Sequence, residues 1–568
     1  MRPHNAGYRR DRVAAVLLVL AAAPAVTICT AMDRPPQEAV GRMQSGGTYA
    51  QRVQEALAIG NQKARPYIAQ RAAVKLERAR LKLQGKTDAE IDRTVRQPPS
   101  AWQGMPTVGS PKILLMLVEF PDRPHTISVD AVKSMIFGHG DDNNYPRESL
   151  KQYYQRASYG KLDLQGDVLG WYQCKHDRSW YKPDGAACDN AANYKIIEEA
   201  VDYFDSQGQD FSQYDNNKDG YIDYFAIMWT GPRGEWATFW WGYQTALVSG
   251  KLVRDGVRFY NFSWQQESDT PNTIIHETGH ALGLPDYYDY DDTVGPRGGV
   301  GGLDIMDAAW GDHNAFSKWL LDWLEPRVVS AGEQVVALKA AGKYPDALIV
   351  MPGASSSNAF SEFFIVQNRQ RVENDPANYP ADGVLIWHVD ARLNAQGTDF
   401  LYDNSLTDHK LLRLMEADGL EEIEQNGNAN AGDYYREGSS FGPGSKPDSR
   451  RYDGTDSGVV VDSFSAPGVS ITVRAAAGKA GGGAGRTITV YNDGGTPLNI
   501  REISCSSPWL SVTPAAPRSI PARSSLSLTP GIDWSKVPAG GAAATVKIVT
   551  DDPANPAMAV TVRALRAP

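Results

Sequence analysis

One short segment constrains this chain more than any other feature: HETGHALGLPD at residues 276–286. It contains the pattern H-E-x-x-H, in which His276 and His280 share one face of a helix. Two imidazoles in this arrangement bind a zinc ion at about 2.0–2.1 Å, and Glu277 then lies beside the bound water as a general base. The segment therefore predicts a zinc hydrolase. The alternative is a buried helix whose two histidines only form hydrogen bonds.

The residues around this motif predict where its helix begins and ends. Thr270 can cap the N-terminus, and Pro271 suits the first helical turn. Gly283 falls where the helix should stop, because glycine tolerates the left-handed conformation of a C-terminal cap. The chain can then turn back toward the metal, so we predict Asp286 as the third ligand.

Length and composition limit the classes of protein that the chain can belong to. A chain of 568 residues is too long for one core and suggests several domains. The net charge of −10, with no cluster of basic residues, argues against nucleic acid as a partner. We also predict no transmembrane segment, because no run after the N-terminus reaches about 18 apolar residues.

The N-terminus has the pattern of a secretion signal. Residues 1–31 combine four arginines with an apolar run from Val13 to Val26, so we predict a signal peptide and a secreted protein. Residues 32–107 are polar, with apolar residues at helical spacing. A helical stretch between a signal and a protease body predicts a removable pro-segment. The alternative is a helical domain that stays attached.

Secretion would also determine whether the cysteines can form disulfides. The chain has 4 cysteines, none with the spacing of a metal cluster. In an oxidising compartment Cys174 and Cys188 could close a short loop, so we predict them as a candidate disulfide.

A second segment, DNNKDGYID at residues 215–223, has the pattern of a calcium loop. Oxygen ligands at alternating positions and a glycine at the sharp turn are typical of such loops. The candidate ligands are Asp215, Asn217, Asp219, Tyr221 (through its backbone carbonyl) and Asp223. The position of the usual bidentate glutamate is Ala226, which argues against a true EF-hand. The alternative is a turn rich in Asp and Asn that closes a surface loop.

The remaining sequence divides the chain into further domains. Residues 108–327 are predicted to be the zinc metalloprotease catalytic domain, and its glycine-rich stretch 298–302 leads to Met306, which could form a Met-turn beneath the ligands. Residues 328–475 predict a β-rich domain, because short apolar strands alternate with Pro, Asn and Gly. Residues 476–485 are a Gly/Ala linker. Residues 486–568 predict an immunoglobulin-like β-sandwich.

The catalytic stretch resembles that of the immune inhibitor A-like family of secreted bacterial metallopeptidases. The resemblance rests on the zinc motif with Asp286 in the third position, and on five supporting segments: VEFPD at 118–122, SYGKL at 158–162, GWY at 170–172, the Asp-rich loop at 215–223 and GVLIWHVD at 383–390. It implies a multidomain chain with an α+β, metzincin-like protease domain and an N-terminal pro-segment. The C-terminal domain resembles BACON-type sandwiches, which bind glycans or cell surfaces or act as spacers.

The resemblance implies a zinc-dependent endopeptidase acting on proteins or peptides. His276, His280 and Asp286 would hold zinc, and Glu277 would assist the attack of zinc-bound water on the peptide bond. One alternative is a secreted adhesin or glycan-binding protein with a vestigial protease domain. Another is a zinc hydrolase acting on a non-peptide substrate.

Overall fold

A computed structural model gives the arrangement of most of the chain. The predicted signal at 1–31, the cap residue Thr270 and most of the predicted Gly/Ala linker lie outside the described residues. The residues described are 35–95, 104–248, 251–268, 271–291, 293, 298–308, 311–351, 361–405, 409–425, 427–478, 488–492, 495–522, 524–538, 542–553 and 556–564.

Four helices form the N-terminal part of the structure: α1 (Gln37–Ser45), α2 (Tyr49–Ile59), α3 (Pro66–Leu83) and α4 (Asp88–Thr94). Local signals explain their ends. Gly60 ends α2 with a left-handed backbone at φ 92°, which glycine adopts without strain. Thr87 begins α4 with a capping box that includes Glu90.

The next part of the chain builds an α/β layer. Its elements are β1 (Lys112–Glu119), α5 (Val129–Phe137), α6 (Leu150–Ala157), β2 (Gln165–Gln173), α7 (Arg178–Tyr181), α8 (Asn190–Ser206), β3 (Phe225–Trp229), β4 (Tyr243–Ala246), β5 (Val253–Arg254), β6 (Val257–Arg258), β7 (Asn261–Gln266), α9 (Pro271–Ala281), α10 (Ile305–Ala308) and α11 (Ala315–Leu320).

Five of these strands form one sheet in the order β2-β1-β3-β7-β4. All neighbours are parallel except β4, which runs antiparallel to β7. β1 reads as a continuous apolar run because helices cover both faces of the sheet. Leu115 and Leu117 belong to the core on one face, and Leu114 and Met116 to the core on the other.

The N-terminal helices pack into both of these cores. The buried face of α2, including Val53 and Ala56, lies in the same core as Leu114 and Met116. The buried face of α3, including Ile68 and Ala72, lies in the same core as Leu115. The connection 60–65 therefore passes from one face of the sheet to the other, close to the end of α9.

Two sheets follow in the β-rich region. Their strands are β8 (Arg327–Val329), β9 (Gly332–Lys339), β10 (Leu348–Val350), β11 (Glu362–Arg369), β12 (Gly383–Asp390), β13 (Leu412–Leu414), β14 (Ser440–Phe441), β15 (Val460–Asp462) and β16 (Ser470–Ala477). The first sheet has the order β13-β12-β11-β10-β8, and the second begins with β14-β15-β16-β9.

The C-terminal residues add strands β17 (Ile488–Asn492), β18 (Leu498–Cys505), β19 (Leu510–Thr513), β20 (Arg518–Ile520), β21 (Ser524–Ile532), β22 (Ala542–Thr550) and β23 (Ala557–Ala564). β18, β20, β22 and β23 form a sheet of their own, while β17, β21 and β19 extend the second sheet of the preceding region. One apolar cluster draws on both groups, including Val490, Ile500 and Val546. The chain is thus a mixed α/β body followed by β-structure; the immunoglobulin-like and metzincin-like descriptions stay predictions.

None of the described helices is long and apolar enough to cross a membrane.

Candidate metal centre

Helix α9 places the two motif histidines on one buried face. His276 and Glu277 have no exposed surface, and His280 is 3% exposed. Neighbouring segments fix the direction of each imidazole, since His276 Nδ1 donates to the carbonyl of Ile305 at 2.8 Å. His280 Nδ1 donates likewise to the carbonyl of Leu284 at 2.7 Å. Both rings therefore turn their Nε2 atoms toward the same point.

Asp286 completes a triangle of possible ligand atoms. Its Oδ1 lies 3.0 Å from His276 Nε2 and 3.3 Å from His280 Nε2, and the two Nε2 atoms are 3.1 Å apart. Ligand atoms that share one tetrahedral zinc at about 2.0–2.1 Å lie about 3.3 Å from each other. The spacing of the three atoms thus fits a single zinc ion.

The protons on the imidazoles support the same conclusion. A carbonyl oxygen can only accept a hydrogen bond, so each Nδ1 carries its ring's proton and each Nε2 presents a lone pair. Burial lowers the pKa of the His280 imidazole, which keeps that ring neutral, the form that binds metal. Asp286 Oδ1 is buried with no hydrogen-bond donor among the described residues. Lone pairs that face one another in a buried space are unfavourable unless a cation lies between them.

The turn after α9 brings Asp286 to this position. Gly283 has φ 104°, a left-handed conformation that reverses the chain direction at the helix end. Asp286 is then held on two sides: its amide donates to the carbonyl of Asn61 at 2.8 Å, and its Oδ2 accepts from the Tyr290 hydroxyl at 2.6 Å. Sequence reasoning missed Tyr290; the only signal was the tyrosine-rich stretch after the motif.

Glu277 lies on the same helix, and its charge acts on two buried tyrosines, Tyr154 and Tyr224. Its charge contributes, behind the larger effect of burial, to the raised pKa of Tyr154 and of Tyr224, which reaches about 12. The Tyr154 hydroxyl donates to the carbonyl of Ile275 at 2.7 Å, which anchors α6 against α9.

Met306 lies directly against the metal helix. A Cβ atom added at Gly279 would overlap the Met306 sulfur, so the thioether contacts the helix between the two histidines. The turn that carries Met306 is held by two buried carboxylates. Asp307 accepts from the amides of Val300 and Gly302, and Asp304 accepts from the amide of Met306 at 2.7 Å.

The structure also brings together part of the predicted calcium loop. Asp215, Asp219 and Asp223 each have a carboxylate oxygen within 4.8 Å of the others. Asn217 Oδ1 accepts from the amide of Asp219, and Asp219 Oδ1 accepts from the amide of Tyr221. Burial raises the pKa of Asp223 to about 7, with the charges of Asp219 and Asp215 adding to the shift.

The predicted disulfide is wrong in this structure. Cys174 and Cys188 are both free thiols. Cys174 is buried just after β2, where its amide donates to the carbonyl of Glu119, whereas the Cys188 sulfur contacts the carbonyl of Thr238 at 3.6 Å. Each cysteine is therefore held by a different partner segment. Burial raises the pKa of both thiols.

Comparison with known proteins gives an independent view of this domain. Residues 100–237 match the profile described as "Immune inhibitor A peptidase M6, catalytic domain". The predicted resemblance is confirmed. The match includes β1 to β3 and the 215–223 segment but ends before α9. It therefore does not depend on the residues of the metal centre.

Two curated relatives are similar to part of the chain. Immune inhibitor A of Bacillus thuringiensis subsp. alesti is 24% identical over 232 residues, which cover 32% of this chain and 34% of the relative. Pre-pro-metalloprotease PrtV of Vibrio cholerae is 24% identical over 273 residues, 38% of this chain and 29% of the relative. The chain thus spans about a third of the length of these relatives. The similarity supports a metal-dependent peptidase domain.

Proposed function

We propose that the protein is a secreted zinc-dependent endopeptidase with a metzincin-like catalytic domain. The observation that carries the proposal is the triangle of His276 Nε2, His280 Nε2 and Asp286 Oδ1, with the Glu277 carboxylate on the same helix. A zinc ion held by these three residues would supply a Lewis acid and would lower the pKa of a water molecule. Met306 against Gly279 supports the metzincin-like description.

The proposed roles of the chain's own residues follow from their positions. Glu277 takes the proton from the attacking water and returns it to the leaving amine. Ile305 and Leu284 orient the two imidazoles through their carbonyls, and Tyr290 orients the Asp286 carboxylate. The peptide substrate itself is proposed from the family resemblance.

We propose further that residues 32–107 are an inhibitory pro-segment. The connection between α2 and α3 binds the turn that carries the third ligand, because Asn61 accepts from the amide of Asp286 and Arg65 donates to the carbonyl of Gly283 at 3.0 Å. Arg65 also donates through its guanidinium to Gln244. All four proposed site residues are at most 3% exposed, so a peptide could not reach them in this arrangement of the chain, and we propose that release of the segment opens the site.

Secretion is proposed from the basic and apolar pattern of residues 1–31. The Vibrio cholerae relative is named a pre-pro-metalloprotease, a name that fits the proposed order of signal, pro-segment and protease.

We also propose that calcium binds at residues 215–223. Support comes from the three carboxylates within 4.8 Å of one another and from Asp223 Oδ1, which is buried without a hydrogen-bond partner in the described part of the chain. Calcium there would hold the segment that leads into β3.

For residues 486–568 we propose a role in attachment to a glycan or a cell surface, based on the BACON-type resemblance. Binding of the full chain to an insoluble polysaccharide, compared with a chain shortened at the linker, tests this role. Equal retention of both chains would contradict it.

The main proposal is tested with the matured protein, the Glu277→Gln variant and Glu437→Gln as a matched control on an exposed residue. We expect zinc bound in a one-to-one ratio, and casein hydrolysis that a chelator abolishes and zinc restores. Glu277→Gln should keep its zinc and lose activity by about 10²–10⁴-fold, the usual contribution of a general base. Undiminished hydrolysis by Glu277→Gln would overturn the assignment.

A further inference from the structure

A third group of acidic side chains lies in the β-rich region, away from both predicted metal sites. It follows β13 and consists of Glu416, Asp418, Glu422 and Asp433, which we call the acidic cluster. Each of the four offers a carboxylate oxygen within 4.8 Å of the others. Two oxygens bound to one calcium ion can lie at most about 5 Å apart, because each bond is about 2.3–2.6 Å long. The separations therefore suit one shared cation.

Two members of the acidic cluster are removed from water. Asp433 has no exposed surface, and Glu416 is 2% exposed. Asp433 Oδ2 accepts from the amide of Asn430 at 2.6 Å, but its Oδ1 has no hydrogen-bond partner among the residues that the structure describes. A buried carboxylate oxygen without a partner is costly, so this atom needs a ligand that the protein itself does not provide.

The basic residues nearby form their ion pairs with other acids, although the charge of Arg413 also acts on Glu416. Lys410 pairs with Glu424, and Arg413 pairs with Glu421 and Glu424. Across the described ranges, none of the ion pairs involves a member of the acidic cluster. Burial raises the pKa of Glu416 to about 7 and that of Asp433 to about 6, and repulsion between the carboxylates adds to both shifts.

We propose that the acidic cluster binds a divalent cation, calcium, through carboxylate oxygens of Glu416, Asp418, Glu422 and Asp433. Calcium suits a purely oxygen-lined site because it accepts six to eight such ligands in irregular geometry. The site contains no imidazole or thiolate, the ligands that favour zinc or copper. This proposal does not depend on peptidase activity.

The position of the acidic cluster links it to the metal centre. Glu416 accepts from the amides of Glu422 and Ile423, and so holds the loop that contains them. Ile423 packs against Gly301, and the amide of Ala429 donates to the carbonyl of Gly301 at 2.9 Å. Gly301 belongs to the turn that carries Met306 beneath α9. A cation in the acidic cluster would therefore stiffen the loop that supports this turn.

The test uses the full chain with calcium chloride as the only added ligand. Asp433→Asn removes the buried oxygen, and Asp418→Asn changes an exposed member whose replacement leaves the core intact. Glu437→Gln removes one charge from an exposed residue of the same region and serves as the control. Native mass spectrometry counts the bound calcium ions, and thermal unfolding gives the rise in Tm that calcium produces.

We expect Asp433→Asn and Asp418→Asn to bind one calcium ion fewer than the wild type and to lose part of the calcium-dependent rise in Tm. The control should match the wild type in both measurements. Counting ions per chain separates this site from residues 215–223, because variants of the acidic cluster leave that loop unchanged. An unchanged calcium count in both folded variants would overturn the proposal, and circular dichroism without calcium establishes that they are folded.

Discussion

The amide of Asp286 donates a 2.8 Å hydrogen bond to the carbonyl oxygen of Asn61. The proposed third metal ligand and the proposed pro-segment are therefore in direct contact, although they lie far apart in sequence. Asn61 lies in the connection between α2 and α3. These two helices pack into the apolar cores on the two faces of the five-stranded sheet, so their buried faces fix the position of Asn61. Release of the pro-segment should therefore change the position of Asp286 in the metal centre as well as the access of a substrate to it.

The first prediction concerns that release. We expect a chain cut by a specific protease at a site introduced into residues 96–103 to gain peptidase activity by at least about 10²-fold, because a peptide must reach the buried centre before any catalysis occurs. Hydrolysis of a quenched peptide before and after the cut measures the gain. The added segment 35–95 should inhibit the cut enzyme again. Equal activity of cut and uncut chains would show that the segment is not inhibitory.

The second prediction concerns Tyr290. Tyr290→Phe removes the hydrogen bond to Asp286 Oδ2, so we expect zinc affinity to fall by about 10–100-fold, the usual effect of losing a ligand's supporting hydrogen bond. Competition with a zinc chelator measures the change. Tyr287→Phe is the matched control, because its hydroxyl contacts Ser317 and is not bonded to Asp286. Equal losses in both variants would count against a specific role for Tyr290.

The parts of the structure that the sequence predicted well are those set by local spacing. Two histidines four residues apart share a helix face whatever the rest of the chain does, and a glycine after them ends the helix. The continuous apolar run of β1 is typical of a buried strand, and short strands with frequent Pro and Gly are typical of residues such as 486–568, where the structure has β17 to β23.

Features that depend on distant segments could not be predicted in this way. The contact of Asn61 with Asp286 and the approach of Ile423 to Gly301 arise only from packing of separate elements. The acidic cluster lacks the regular spacing of a calcium loop, because a turn separates Asp433 in sequence from the other three residues. The disulfide prediction failed for a related reason, because a short separation in sequence does not determine where two thiols point.

The third prediction concerns the contact between Gly279 and Met306. Gly279→Ala places a methyl group against the Met306 sulfur, so we expect a loss of about 1–3 kcal/mol in the free energy of unfolding from overpacking. Urea unfolding of the zinc-free protein measures the loss. In a Met306→Ala background the same change should cost clearly less, because the overlapping atoms are absent. A cost that is equal in the two backgrounds would show that the residues are not coupled.

The last prediction is a dependence of stability on pH that calcium reverses. Without calcium, the folded chain holds protons on Glu416 and Asp433 up to pKa values of about 7 and about 6, well above the ordinary values of 4.5 and 3.8. The native state then binds more protons than the unfolded state in this window, so the acidic cluster's contribution to stability is present at acidic pH and is lost as the pH rises toward 7.

Calcium should invert this trend, because its carboxylate ligands must be deprotonated, so the stabilisation by calcium grows as the pH rises through the same window. Urea unfolding between about pH 4 and pH 8, with calcium or with a chelator, measures both slopes. Other buried acids contribute to the wild-type slope, so the informative quantity is the difference between wild type and Asp433→Asn. We expect this difference to be on the order of 1–2 kcal/mol between the ends of the window. Glu437→Gln should follow the wild type, and identical pH profiles of wild type and Asp433→Asn, with and without calcium, would contradict the prediction.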